Sequence, residues 1–216
     1  MKAMVVFSGG LDSSTALYWA KENAEKICAV NFAYGSNHQE RECAAAKKIA
    51  DALGVKMFHI PLAFIGEHFK SALLGGVIPD GEYKQENMGA TVVPFRNGIM
   101  LSVAAGLANS IGFDTVILGN HGGDHFIYPD CRPDFIAYMN EAITAGTDGA
   151  IKIISPFCDM SKADIVKEGA RLGVDFGMTY SCYKGGVKHC GVCGTCEERR
   201  ESFIAAGVLD PTEYEK

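Results

Sequence analysis

The chain has 216 residues, 48% of them hydrophobic, and carries 20 basic against 26 acidic side chains for a net charge of −6. That length fits one α/β domain with a small appendage and a proper buried core. The acidic balance argues against a broad nucleic-acid footprint, and with neither an apolar run of membrane-span length nor a charged–apolar–small leader, a cytoplasmic protein is expected.

The predicted elements alternate strand and helix. Residues 3–7 read as a first strand; the turn Ser8-Gly9-Gly10 follows, and a helix starts from Asp12. A second strand spans 26–32. A helix over 39–53 stops at Gly54, a C-cap position. A third strand, 55–60, ends at Pro61. Residues 75–90 hold Gly75, Gly76, Gly81, Gly89 and Pro79 without a clear period, and read as a long loop near the site. A small-residue helix over 97–111 should be well buried. A fourth strand, 115–118, leads into Gly119-Asn120-His121-Gly122-Gly123-Asp124. A helix over 133–145 and a fifth strand over 151–155 follow. The last predicted helix, 161–172, has Ser161 as N-cap with Asp164 three places on, and closes at Gly173. This alternation implies right-handed crossovers and an open, doubly wound, parallel five-stranded sheet. The expected division is an α/β domain over 1–175 and a C-terminal segment over 176–216 packed on the same domain.

The first turn is the most specific local signal. Two glycines let the backbone bend sharply and approach an anion, and the next amides point out of a helix N-terminus, where the dipole favours negative charge. Ser8, Ser13 and Ser14 add hydroxyl donors. Neither G-x-x-x-x-G-K-[ST] nor G-x-G-x-x-G occurs, and no lysine stands at the turn. The pattern S-G-G-x-D-S-S resembles the PP-loop of ATP pyrophosphatases, which cleave ATP between the α and β phosphates. Phe7, Ser8, Gly9, Gly10, Leu11, Asp12, Ser13 and Ser14, with Thr15, Ala16 and Leu17 of the following helix, form the expected nucleotide cradle. A plain strand-to-helix connector with a capping Asp-Ser is the competing reading.

Ligands in open parallel sheets bind at the carboxyl ends of the strands. The stretches 8–14, 32–38 and 119–124 should therefore surround one pocket, with Phe32, Tyr34 and His38 beside adenine or in the core. Asp12 and Asp124 are candidates to hold Mg2+ against the phosphates; helix capping for Asp12 and a turn role for Asp124 are the alternatives.

Cys182, Cys190, Cys193 and Cys196 give C-x7-C-x2-C-x2-C, the second strong signal. In a reducing compartment such cysteines are metal ligands rather than disulfides. Four thiolates make a closed structural zinc site; an iron–sulfur cluster takes the same ligands. His189 is expected to stand outside the metal's ligands. Cys28, Cys43 and Cys158 read as packing thiols.

Three further stretches narrow the resemblance: Val93-Pro94-Phe95-Arg96-Asn97, the run from Tyr128 to Phe135 that begins Tyr-Pro-Asp-Cys-Arg, and the cysteine cluster. With the PP-loop, and in this order over nearly the whole chain, they look like the 7-cyano-7-deazaguanine synthase (QueC) family. The resemblance implies conversion of 7-carboxy-7-deazaguanine and ammonia to the nitrile with ATP, in the route to queuosine and archaeosine. It also implies zinc on the four cysteines, a magnesium requirement, a homodimer and no direct nucleic-acid or membrane partner. Ser8, Asp12, Ser13, Arg96, Asp124 and Arg132 are the implied catalytic residues. Arg96, Asn97, Tyr128, Asp130 and Arg132 are the implied substrate contacts. Arg96 and Arg132 would meet the substrate carboxylate or the α-phosphate, or else pair with Asp130 or Asp134. Asp130 would read the guanine-like edge or sit in a turn. Cys131 is read as a packing thiol. The chain departs from the family pattern at Phe95, where a small residue is usual, and over 122–127.

Overall fold

A computed structural model describes all 216 residues. β1 (Lys2–Val6), β2 (Lys26–Ala33), β3 (Met57–Pro61), β4 (Thr115–Ile117) and β5 (Lys152–Ile154) form one parallel sheet in the order β3-β2-β1-β4-β5. β1 lies at the centre, with Val5 opposite Ala29 of β2 and Met4 opposite Val116 of β4. The strand order reverses at β1, which is the switch point where such sheets bind ligands.

The central strands are apolar on both faces because both faces are covered. On one face Met4, Val30 and Val116 pack with Leu101, Ala104 and Ala108 of α5 (Arg96–Ser110) and Ile136 and Ile143 of α6 (Pro133–Gly146). On the other, Ala3, Val5, Ala29 and Ile117 meet four helices: α1 (Leu11–Asn23), α2 (Gln39–Leu53), α7 (Lys162–Leu172) and α8 (Gly194–Ala206). The small residues of α5 are buried as the sequence predicts. No single helix is long and apolar enough to cross a membrane.

The helix stops match their residues. Gly54 and Gly173 take left-handed φ of +65° and +77° after α2 and α7. The capping box at Ser161 and Asp164 is complete in both directions. The differences from the sequence reading lie mostly at boundaries. Phe7 falls outside β1, and α1 starts at Leu11. β3 starts at Met57, because the Val55 amide is still bonded to Ala50 O in the C-cap. Residues 75–90 are not all loop: they contain α4 (Gln85–Met88), and Asp80 pairs with Cys193 in an isolated bridge. Two further helices were not anticipated, α3 (Ala63–His68) and α8. α8 is masked by Gly194, Cys196 and six consecutive polar residues, and it starts on the metal knuckle itself, with Cys193 as N-cap.

Candidate active site

One cavity of about 200 Å³ opens at the carboxyl ends of β1, β2 and β4. The three stretches expected to converge do so: Ser8 to Ser13, Phe32 to His38, and Leu118 to Asp124 all contribute to its wall.

The turn after β1 is ordered by its own hydroxyls. Ser8 Oγ and Ser13 Oγ are 3.0 Å apart, the Ser8 amide donates to Ser13 Oγ at 3.2 Å, and the Gly10 amide donates to Ser8 Oγ at 3.2 Å. Gly10, not Asp12, is the N-cap of α1, and no side chain caps that end. The first amides of α1 are therefore not satisfied by a capping side chain, which is the arrangement an anion completes. Gly9 has φ +87°, and a Cβ there would stand 2.5 Å from Ala46 N and 2.8 Å from Glu42 O. Only glycine lets this turn pass under α2. Ser14, Thr15, Ala16 and Leu17 are buried in α1 and do not line the cavity, and neither does Gly9.

Charged side chains gather beside the turn. Lys162, the first residue of α7, places Nζ 2.6 Å from Asp12 Oδ2, 3.3 Å from Glu198 Oε2 and 3.2 Å from His121 Nε2. Burial opposes its charge, but Asp12, Glu198 and Asp124 outweigh this and hold its pKa well above the ordinary lysine value. Burial pushes the Glu198 carboxyl up, against the pull of Lys162. Asp124 Oδ1 accepts from Tyr83 Oη at 2.8 Å. Lys162, Glu198 and Tyr83 were missed in the sequence. Lys162 and Glu198 were findable: the rule that points to strand ends applies equally after β5, and Glu198 shares α8 with a metal knuckle. Nothing in the sequence marks Tyr83.

The rest of the lining includes aromatic and basic side chains. Arg96 Nη1 donates to Tyr34 Oη at 3.0 Å, with the guanidinium 5.5 Å from that ring's centroid. The structure gives Arg96 no ion-pair partner, so the pairing with Asp130 or Asp134 weighed in the sequence does not form. Asp130 Oδ2 instead accepts from the Asn97 amide at 2.7 Å, fixing the first turn of α5. Asp130 does not line the cavity, and Arg132 is exposed outside it, donating Nε to His125 O at 2.8 Å. Asn97, Tyr128, Phe32 and His38 do line it. Cys131 lines it as well, and burial pushes its thiol well above the usual range, which agrees with packing rather than nucleophilic work. Phe95 occupies the left-handed region at φ +54°, directly before Arg96. Only a residue without Cβ is free of strain in that conformation, so Phe95 carries backbone strain.

The four cysteines meet as the spacing requires. Their sulfurs lie within 4.8 Å of one another and all four residues are buried. Cys190 and Cys196 are 3.9 Å apart and Cys193 and Cys196 3.5 Å apart. Tetrahedral zinc with bonds of about 2.3 Å spaces its sulfurs by about 3.8 Å, so the residues fit such an ion. Amides of Cys190 and Cys193 point at Cys182 and Cys190 sulfurs at 3.4 and 3.3 Å, as thiolates favour. His189 is outside the cluster, buried, and accepts from the Ser181 amide at 3.0 Å. Cys28 is buried as expected; Cys43 and Cys158 are only half-buried.

An uncapped helix N-terminus at the switch point, ringed by serine hydroxyls, makes this a nucleotide-binding α/β protein of the PP-loop kind. Residues 2–207 match the family described as queuosine biosynthesis protein QueC, and the chain belongs to that family. The 7-cyano-7-deazaguanine synthase of Porphyromonas gingivalis is 54% identical over 215 residues, covering 99% of this chain and 97% of the relative. The 7-cyano-7-deazaguanine synthase of Desulfotalea psychrophila is 49% identical over 214 residues, covering 98% of each. Among solved structures, the U34-tRNA thiolase NcsA from Methanococcus maripaludis, described with its 4Fe–4S cluster, shares the fold with a TM-score of 0.54 at 12% identity, covering 100% of this chain and 74% of that one.

Proposed function

We propose that this chain converts 7-carboxy-7-deazaguanine and ammonia, at the expense of ATP, into 7-cyano-7-deazaguanine. The observation that carries the reading is a single cavity lined both by an anion cradle and by Arg96, a guanidinium without a carboxylate partner. Such a cavity suits a phosphate chain and an acid brought together.

A carboxylate is a poor electrophile because its oxygen leaves badly. Its attack on the α-phosphorus of ATP gives an acyl adenylate and releases pyrophosphate. Ammonia then displaces AMP, which carries off one of the acid's oxygens, and the amide forms. A second activation of the amide oxygen, followed by loss of AMP and a proton, leaves the nitrile. Two oxygens depart, so two ATP are consumed. The residues of the turn from Phe7 to Ser14 stabilise the departing pyrophosphate by donors already in place, a mode of catalysis worth about 3–4 kcal/mol per well-aimed donor. Lys162 supplies from α7 the cation that the turn itself lacks. Phe32 lines the nucleotide end, and Arg96, Asn97 and Tyr128 face the acid.

Asp12 and Asp124 are the residues to hold Mg2+. Asp12 Oδ1 is buried without a hydrogen-bond partner, which fits a ligand atom. A bound Mg2+ would offset negative charge on the phosphates. Cys182, Cys190, Cys193 and Cys196 hold structural zinc in a closed set that pins residues 176–216. The protein acts in the cytoplasm, as a homodimer, without a nucleic-acid partner.

Pyrophosphate release that requires both the acid and ammonia tests the reaction against a nucleotide-sensing module. Ser8→Ala and Asp12→Asn should each lower nitrile formation at least tenfold in folded protein. Unchanged turnover in either variant removes the turn from the mechanism.

A further inference from the structure

Arg96 and Glu42 line the same cavity without meeting. No ion pair joins them, yet the charge of Arg96 is felt at Glu42. Glu42 extends from α2 on the stripe that continues through Ala46, Ile49 and Ala50 into the core. A carboxyl on a buried stripe needs a partner, and the protein offers little. The recorded contact is His38 Nε2 at 3.5 Å from Glu42 Oε2, with the Glu42 side chain 17% exposed. His38 gives no compensating charge, since burial and Arg96 lower its pKa to about 4. Its Nδ1 is buried without a partner as well, and its ring stacks on Tyr183 at 4.9 Å and 22°. The cavity thus holds a cation in want of acceptors and a carboxyl in want of donors, together with stacked aromatic rings.

We propose that Glu42 is the specificity residue of this site, accepting hydrogen bonds from the N1–H and 2-amino group of the deazaguanine ring while Arg96 faces its O6 and 7-carboxylate edge. This rests on the function proposed above. The match is one of polarity. Deazaguanine presents two adjacent donors on one edge and two acceptor groups on the next, so it spans a carboxylate and a guanidinium in one orientation. Adenine presents a single amino group flanked by acceptor nitrogens, so a carboxylate facing it would meet one donor and one lone pair. His38, expected from the sequence beside adenine, then belongs to the acid's end, as a wall under the ring. Asp130, the other candidate for this edge, already spends Oδ2 on the Asn97 amide and stands outside the cavity.

The test is equilibrium binding without ATP, using 7-carboxy-7-deazaguanine and its analogue lacking the 2-amino group, on the wild-type protein and on Glu42→Gln. A site built to pair a substrate N–H rejects the analogue that lacks it, so the wild type should bind the analogue at least tenfold more weakly. Glu42→Gln should weaken the parent acid at least tenfold, narrow the two ligands to within threefold, and leave ATP affinity within threefold. Thermal unfolding shows whether the variant is folded, and the wild-type comparison needs no variant. Equal binding of the two ligands by the wild type overturns the assignment. So does a variant that still discriminates tenfold, or one that loses ATP affinity alone, which would put Glu42 on the ribose diol. Nitrile formation by the wild type is scored separately: its absence, with binding as predicted, sinks the proposed reaction and leaves the Glu42 contact standing.

Discussion

Replacing Lys162 by Met removes one cation from between two carboxylates while keeping the aliphatic stem. Its Nζ stands 2.6 Å from Asp12 and 3.3 Å from Glu198, and the three side chains are 16, 23 and 13% exposed. At about 3 Å and an effective dielectric of about 20 the attraction is roughly 5 kcal/mol, part of it cancelled by desolvation. Breaking a buried pair costs about 3–5 kcal/mol. Asp12 keeps some contact with water, so about 2–3 kcal/mol is the expected loss. For a chain of this size that lowers Tm by about 4–12 °C. The pKa of Lys162 is raised on folding. Its contribution is therefore full below the ordinary lysine value and is lost only as pH rises through the higher folded value. The Tm deficit should shrink as pH falls, because the freed Glu198 carboxyl, pushed up by burial and no longer held down by Lys162, takes up a proton. Turnover, followed by pyrophosphate release, should fall at least a hundredfold, since the cradle loses its cation. A folded Lys162→Met protein with kcat/KM for ATP within threefold of wild type would refute the role, and one with an unchanged Tm would refute the pairing.

Three other outcomes are expected. Gly9→Ala forces a Cβ into the backbone of α2 at a left-handed φ, so it should cost at least about 2 kcal/mol and abolish nucleotide binding; an unchanged Tm contradicts the packing. Cys193→Ser should lose bound metal, measured by elemental analysis, together with stability; a folded, metal-free and active variant contradicts the structural role. Burial pushes Glu42 up to about 8, with Arg96 offsetting part of the shift. Without the acid bound, the native state thus keeps a proton that the unfolded chain releases, and stability falls as pH rises from about 4.5 to about 8; the two N–H donors of the bound acid favour the ionised carboxylate and release that proton. Glu42→Gln should match wild type near pH 5 and exceed it in Tm near pH 8.5; a difference independent of pH contradicts this.

The strands and both motifs were legible because each is local. The turn from Ser8 to Ser14 follows an apolar run, and the cysteines carry metal spacing within 15 residues. What escaped was set by distance in sequence. Lys162 reaches Asp12 across 150 positions, and Tyr83 reaches Asp124 from a loop whose composition says only that it is irregular. Glu42 left a trace that went unread: a carboxylate four residues before Ala46, on the one stripe of α2 that turns inward. Asp130 and Arg132 show the converse. Their motif is specific, yet Asp130 positions α5 and Arg132 points to solvent, so a recognisable run need not place every side chain in the site.

The central claim is that the acid's oxygens leave on phosphorus. The direct measurement is mass spectrometry of all products after incubating the protein with ammonia, ATP and acid labelled with oxygen-18 in its carboxylate. The account predicts the nitrile, free of label, with one labelled oxygen in each AMP formed. Label released into water or inorganic phosphate, or the acid recovered intact while ATP is hydrolysed, would contradict it.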